Sequence, residues 1–173
     1  KDNNLWMSNH TASRPISVLK ANGEWRNFNA PVKGLLQCAI DLNGYKWIVA
    51  GNEGVLVFDD TGTIDDINDD RMKLITPSNS NLPTNRINCI EVDLEGAVWV
   101  GTVEGPIFFD CGESIFEDTQ CSRGTLKQVT QDGVGAIGNC YNQFSDFGYS
   151  LCVKAVGWFF QQIHFGVEQQ GRS

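Results

Sequence analysis

Two glutamates recur at the same position of a glycine-containing turn, and a pair of carboxyl groups is what glycoside hydrolysis requires. Glu53 lies in "GNEG" and Glu104 lies in "TVEG". In a hydrolase one such group protonates the leaving oxygen while the other acts as nucleophile or base. A catalytic pair has no reason to recur with a repeat, so the recurrence favours a role in the turn. We therefore predict no catalytic residue and no enzymatic activity.

The densest acidic stretch, "DDTGTIDDINDD" at positions 59–70, offers the oxygen ligands that calcium prefers. It lacks the D-x-[DN]-x-[DN]-G order and the distal glutamate of an EF-hand loop. His10 and His164 have no second histidine or cysteine at ligand spacing. We expect a solvated loop at 59–70, and neither a metal ion nor a cofactor.

Six cysteines are many for a protein of a reducing compartment. The sequence contains no C-x-x-C pair, so a structural zinc site is not expected. Cys38 and Cys89 lie in apolar runs and are expected to be small buried core residues. Cys111 and Cys121 flank the loop "GESIFEDTQ" and could close a disulfide bond in an oxidising compartment.

The overall charge argues against nucleic acid as a partner. The 173 residues include 21 acidic and 13 basic side chains, for a formal net charge of -8. Nucleic-acid binding is driven by basic surfaces, which are not indicated here. A bilayer-spanning helix needs about 20 apolar residues, whereas runs such as "KAVGWFFQQIHF" are short and broken, so no transmembrane segment is expected.

The chain repeats itself, which is the strongest signal for its architecture. "AIDLNGYKWIVAGNEGVLVFDD" at 39–60 matches "EVDLEGAVWVGTVEGPIFFDC" at 91–111. The shared pattern is D-x-x-G-x-x-W, present as Asp41, Gly44 and Trp47 and again as Asp93, Gly96 and Trp99. A partial third copy, "NNLW", has asparagine in place of glycine three residues before its tryptophan.

Each residue of this pattern has a structural explanation. The aspartate can accept hydrogen bonds from the backbone of the turn that it opens. The glycine supplies a positive φ, for which asparagine is the usual substitute. The tryptophan fills space between neighbouring sheets.

Short β-branched runs separated by glycine turns predict an all-β fold. Each copy gives three strands, and "EWRNF" and "MKLIT" are expected to add a preceding strand to the first and second full copies. Four antiparallel strands in a repeat of about 40–50 residues are typical of a propeller blade. We predict an incomplete β-propeller of about two and a half blades. Its segments are a truncated blade at 1–20, blades at 21–60 and 61–111, a loop and the start of the next blade at 112–136, and a tail at 137–173.

The segment "NLPTNRINCIEVDLEGAVWVGTVEGPIFFD" at 81–110 resembles the two-component regulator propeller repeat, with Pro106 where leucine is usual. The first copy departs from that pattern with "VAGNEG" in place of G-T-x-x-G. Within this group the chain looks most similar to the PorZ-type propeller family of Bacteroidetes type IX secretion. The resemblance implies a non-catalytic module in the periplasm or at the cell surface, with a glycolipid, an oligosaccharide or a secretion-system protein as partner. The alternative that it implies is the periplasmic sensor of a hybrid two-component histidine kinase that binds an oligosaccharide.

The repeat is not legible after position 136. The tail "IGNCYNQFSDFGYSLCVKAVGWFFQQIHFGVEQQGRS" contains no D-x-x-G-x-x-W. Two interpretations remain open, a divergent end and a shifted reading frame in which "KAVGWFFQ" is compatible with a tryptophan, valine and glycine series.

Overall fold

Residues 3–126, which the computed structural model describes, form three antiparallel sheets and two single-turn helices. Sheet 1 contains β1 Leu5–Ser8, β2 Ile16–Leu19 and β3 Trp25–Phe28. Sheet 2 contains β4 Leu35–Ile40, β5 Lys46–Ala50, β6 Val55–Asp59 and β7 Arg71–Ile75. Sheet 3 contains β8 Ile87–Val92, β9 Val98–Thr102, β10 Gly105–Phe109 and β11 Thr125–Leu126. The prediction of an all-β fold is confirmed, whereas the number of blades stays a prediction.

The two helices lie between the last two strands of sheet 3. A 3-10 helix spans Gly112–Phe116, and the α-helix α1 spans Gln120–Arg123. Within positions 3–126 no helix is long and apolar enough to cross a bilayer. The predicted tail at 137–173, and the histidine at position 164, lie outside the described residues.

The sheets divide the chain at different places from the predicted blades. The strands at 25–28 and 71–75 were expected to open the segments 21–60 and 61–111. Instead β3 pairs with β2, and β7 pairs with β6, so that each ends the preceding sheet. For β3 the reason is the tight turn in which the Lys20 N–H donates to the Glu24 carbonyl at 2.9 Å, which folds β3 back on β2.

The segment 112–136 was predicted to be a loop and the start of the next blade, and its residues 127–136 lie outside the described part of the chain, so that the start of a blade there stays a prediction. The strand β11 pairs with β10, with Ile107 opposite Leu126. It therefore occupies in sheet 3 the place that β7 occupies in sheet 2.

Sheet 2 lies between the other two sheets and is buried on both faces, which explains the unbroken apolar run of β6. Alternate side chains of a strand point to opposite faces. Trp47, Val49, Val55 and Val57 join the core formed with sheet 3. Their neighbours Ile48, Ala50, Leu56 and Phe58 join the core formed with sheet 1.

The turn between β5 and β6 needs glycine because another strand passes against it. Gly54 has a φ of 113°, which side-chain-bearing residues rarely adopt. A Cβ at this position would lie 2.2 Å from the carbonyl oxygen of Ile75. Glycine at position 54 therefore lets the end of β7 pack directly on the turn.

Candidate functional site

The D-x-x-G-x-x-W turns are the most repeated polar structures of the chain. In the first, Asp41 Oδ1 accepts hydrogen bonds from the backbone N–H groups of Asn43, at 2.9 Å, and Tyr45, at 3.0 Å. Gly44 has a φ of 91°. Both predicted turn roles are therefore confirmed.

The second turn repeats this geometry. Asp93 Oδ1 accepts from the N–H groups of Glu95, at 3.1 Å, and Ala97, at 2.8 Å. Gly96 has a φ of 94°. Asn3, which takes the place of this glycine in the partial copy, has a φ of 54°. The asparagine therefore adopts the left-handed conformation that was predicted for it.

Sequence reasoning missed a second bond that joins the first and last residues of the pattern. The indole Nε1–H of Trp47 donates to Asp41 Oδ2 at 2.9 Å, and that of Trp99 donates to Asp93 Oδ2 at 2.8 Å. The constant aspartate-to-tryptophan spacing was the available signal. We call this arrangement of turn and indole the Asp–Trp clasp. Both carboxylate oxygens of each aspartate therefore accept hydrogen bonds within the fold, which gives the clasp a structural role.

The two recurring glutamates also lie in turns. The Glu53 N–H donates to the Ala50 carbonyl at 2.8 Å, and the Glu104 N–H donates to Thr102 Oγ1 at 3.1 Å. Both residues are exposed. Their shared position is thus explained by two equivalent hairpins, β5–β6 and β9–β10, as the sequence predicted.

The acidic stretch differs from the expected solvated loop at its first two residues. Asp59 and Asp60 are only 5% and 8% exposed. Asp60 Oδ1 forms an ion pair with the buried Lys46, and Asp59 Oδ2 accepts hydrogen bonds from Arg71. Burying a charge is costly unless it is paired, so these basic residues make the burial possible. The pattern of acids alone gave no sign of these partners, since they lie on β5 and β7.

The outer part of the stretch, the acidic loop 60–70, reaches across to sheet 1. Asp65 accepts from Lys20 Nζ at 2.9 Å and from Arg26 Nε at 2.7 Å. The hydrogen bond from Lys20, followed by that from Arg26, lowers the pKa of Asp65. The loop is thereby connected to the strands β2 and β3, although each of these surface pairs contributes little stability by itself.

The environment of Asp70 in this loop disfavours the charged form of its carboxyl group. Burial, and then the nearby Asp69 and Asp60 carboxylates, raise the pKa of Asp70 from 3.8 to about 6. Asp70 Oδ1 has no hydrogen-bond donor among the described residues. The folded protein therefore holds this proton more tightly than the unfolded chain does.

The substitution Asp70→Asn should stabilise the protein at pH 7 by about 1 kcal/mol, after allowance for partial exposure. Ionisation of Asp70 is disfavoured in the folded protein. Its cost to the stability of the natural protein is therefore absent below pH 3.8, grows as pH rises and is fully present once pH has passed about 6. Urea unfolding at pH 7 and at pH 3.5 measures this difference. A variant that is no more stable than the natural protein at pH 7, or equally stabilised at both pH values, would contradict it.

The cysteines are placed as follows. Cys89 is buried, at 8% exposed, as expected, but it is disulfide-bonded and not a free thiol. Cys38 is half-buried against the core between sheets 1 and 2. Burial raises the pKa of Cys38 to about 11. Cys111 and Cys121 are both thiols, so their predicted disulfide bond stays a prediction.

In the described residues no group of three histidine, cysteine, aspartate or glutamate side chains has the geometry to hold a metal ion. His10 is exposed, and its ring lies beside Gly34, where a Cβ would be 3.6 Å from His10 Nε2. Asp59, Asp60 and Asp65 thus pair with basic side chains of the fold, and His10 packs beside Gly34.

No protein-family model and no curated protein matches the chain. Among solved structures, the chain is similar to PorZ, an essential bacterial surface component of the type-IX secretion system of Porphyromonas gingivalis. The alignment covers 65% of this chain and 17% of PorZ, with 23% sequence identity and a TM-score of 0.54.

The chain is also similar to the extracellular domain of a putative hybrid two-component system of B. thetaiotaomicron. That alignment covers 71% of this chain and 15% of the other, with 21% identity and a TM-score of 0.49. The chain thus spans less than a fifth of either relative. The resemblance predicted from the sequence is confirmed at the level of the fold, which this chain shares with part of PorZ.

Proposed function

We propose that the three sheets are successive blades of a β-propeller, and that the chain is a non-catalytic interaction module of an extracytoplasmic protein. One observation carries the propeller assignment, which is that the same aromatic contact recurs between consecutive sheets. Trp6 of sheet 1 packs edge-on against Phe58 of sheet 2, with ring centroids 5.8 Å apart. Trp47 of sheet 2 packs against Phe109 of sheet 3 at 5.4 Å.

These contacts are equivalent in register as well as in residue type. Trp6 lies opposite Val18, and Trp47 lies opposite Val57, in the corresponding strand pairs. A second contact follows the stack at the turn edge, where Leu42 packs so closely on Gly96 that a Cβ there would be 2.7 Å from its Cδ1. Repeating one contact from sheet to sheet is how radial and linear repeat proteins are built.

The repeated residues are occupied in building the stack, which supports a binding role for other parts of the surface. In repeat architectures the loops that differ between repeats supply the binding face. The fold shared with a secretion-system surface component supports the same location for the complete protein. We propose a glycolipid, an oligosaccharide or a secretion-system protein as the partner, and no nucleic acid, because the net charge is -8.

The test uses the complete gene product, tagged and expressed in the organism that encodes it. Proteinase K added to intact cells should degrade the tagged protein, and deletion of the gene should lower the amount of type IX cargo at the surface. As a control, a periplasmic protein in the same cells must remain intact.

The opposite result would identify the sensor alternative. A protein that resists external protease, fractionates with the inner membrane and is needed for transcription induced by an oligosaccharide would overturn the secretion assignment.

A further inference from the structure

The segment between Cys111 and Cys121 forms a strap, here defined as residues 111–121, that crosses from sheet 3 to sheet 2. It leaves the end of β10, forms the 3-10 helix and enters α1. Ile115 at its centre is 0% exposed and belongs to the core between the two sheets. The ring of Phe116 packs edge-on against Tyr45, with centroids 5.4 Å apart.

Polar contacts hold the strap on sheet 2 as well. Lys73 Nζ, on β7, donates to the Ile115 carbonyl at 2.9 Å. The guanidinium of Arg71 lies 4.6 Å from the centroid of the Phe116 ring. The residues just after the strap are attached to Asn81, whose N–H donates to the Arg123 carbonyl at 2.7 Å. The strap therefore joins the two sheets along their shared core.

The two cysteines at the ends of the strap are brought together by this path. The helix α1, which carries Cys121, packs on the 3-10 helix that follows Cys111 and on β10. Thr119 Oγ1 lies 3.0 Å from Cys121 Sγ, and the Cys121 thiol is, after burial, a cause that raises the pKa of Cys111. The thiols differ in access, since Cys111 packs against the core while Cys121 borders an open depression of about 350 Å³. Burial is the main cause that raises the pKa of Cys111.

We propose that Cys111 and Cys121 are a dithiol that oxidises to an intramolecular disulfide bond, which fixes the strap across the core between sheets 2 and 3. The oxidant is an external disulfide, either a small molecule or an oxidised protein dithiol. The Cys121 thiolate attacks it first and releases one thiol. Cys111 then loses its proton to solvent, attacks Cys121 Sγ and releases the second thiol, so that one external disulfide is reduced for each bond formed.

The bond would stabilise the native state by closing a short loop in the unfolded chain. It would act where the strap is already ordered, because Ile115 and Phe116 are anchored in the core. This inference does not depend on the proposed function. The disulfide bond can form or be absent whether or not the protein takes part in type IX secretion.

The full chain is equilibrated with oxidised glutathione, and free thiols are then blocked with iodoacetamide. Digestion with trypsin and a glutamate-specific protease separates the two cysteines into the peptides 105–113 and 118–123. We expect these two peptides to be joined, 2 Da lighter than the sum of their reduced forms. Cys38 is the internal control, because it packs on the core between sheets 1 and 2 whereas the strap packs on the core between sheets 2 and 3, and it should therefore be recovered outside the joined pair.

The second readout is thermal unfolding of the oxidised chain and of the same chain reduced with dithiothreitol. Oxidation of this pair should raise the Tm by about 5–10 °C. The difference between the oxidised and the reduced natural chain should therefore exceed that of the double variant Cys111→Ser, Cys121→Ser by this amount, because the disulfide bond of Cys89 is reduced in both. The peptide map uses the natural chain and so does not depend on the folding of any variant. If both peptides are recovered fully alkylated, or either is joined only to another cysteine, the inference is overturned.

Discussion

Replacing Trp47 with alanine should lower the free energy of unfolding by about 3–5 kcal/mol. The side chain is 2% exposed and fills the core between sheets 2 and 3, where it contacts Phe109. Truncation would leave a cavity and would also leave Asp41 Oδ2 without the indole donor. Urea unfolding followed by circular dichroism measures the loss, and absence of any cooperative transition counts as the upper end of the range.

Trp25 provides the matched control, since it is also on a strand but is 54% exposed. Trp25→Ala should cost less than about 1 kcal/mol. The milder variant Trp47→Phe keeps an aromatic ring and loses only the indole bond and some volume, so it should fall between the two alanine variants. Equal effects of Trp25→Ala and Trp47→Ala would show that Trp47 is not a core residue.

Replacing Asp60 with alanine should destabilise the protein by about 3 kcal/mol, because it leaves a buried ammonium without its counter-charge. The Lys46 side chain is 5% exposed, and its Nζ lies 4.1 Å from the centroid of the Trp6 ring. The ring attracts the cation but does not replace the carboxylate. Asp110→Ala, at an exposed aspartate, should change stability by less than about 0.5 kcal/mol.

The double variant Lys46→Met, Asp60→Ala separates the cost of an unpaired charge from the cost of lost packing. Removal of both charges leaves nothing buried and uncompensated, so the double variant should recover at least half of the stability lost in Asp60→Ala. Methionine also retains an apolar contact with Trp6. A double variant as unstable as the sum of the two single variants would show that the pair is not energetically coupled.

The sequence allowed the all-β class, the turns and the burial of Trp47 to be predicted, because these depend on short-range patterns. The positive φ of Gly44 and the backbone bonds of Asp41 involve only residues within the turn. The repeat made the prediction stronger, since one geometry had to suit both "DLNGYKW" and "DLEGAVW".

What could not be predicted depends on contacts between distant parts of the chain. The Asp65 bonds to Lys20 and Arg26 join positions far apart in sequence, so the acidic loop looked solvated. Sheet boundaries were misplaced because β3 and β7 are similar to opening strands in composition. A tight turn pairs β3 with β2, and the loop 60–70 returns the chain so that β7 pairs with β6. The indole bonds of the Asp–Trp clasps were missed for a different reason. The spacing of aspartate and tryptophan was visible in the sequence, but the direction in which the two side chains point was not.

The central claim is that the repeated Asp–Trp clasps are scaffold and not a binding surface, and hydrogen exchange of the tryptophan indoles tests it most directly at the buried clasp of Trp47. In a two-dimensional NMR spectrum of the ¹⁵N-tryptophan-labelled protein, the Nε1–H of Trp47 should exchange at least about 10³ times more slowly than that of the exposed Trp25. Asp41→Asn, which weakens the acceptor, should speed exchange at Trp47 and leave Trp99 unchanged. Exchange at Trp47 as fast as at Trp25 in the natural protein would contradict the account, because the indole would then be open to solvent and available to a ligand.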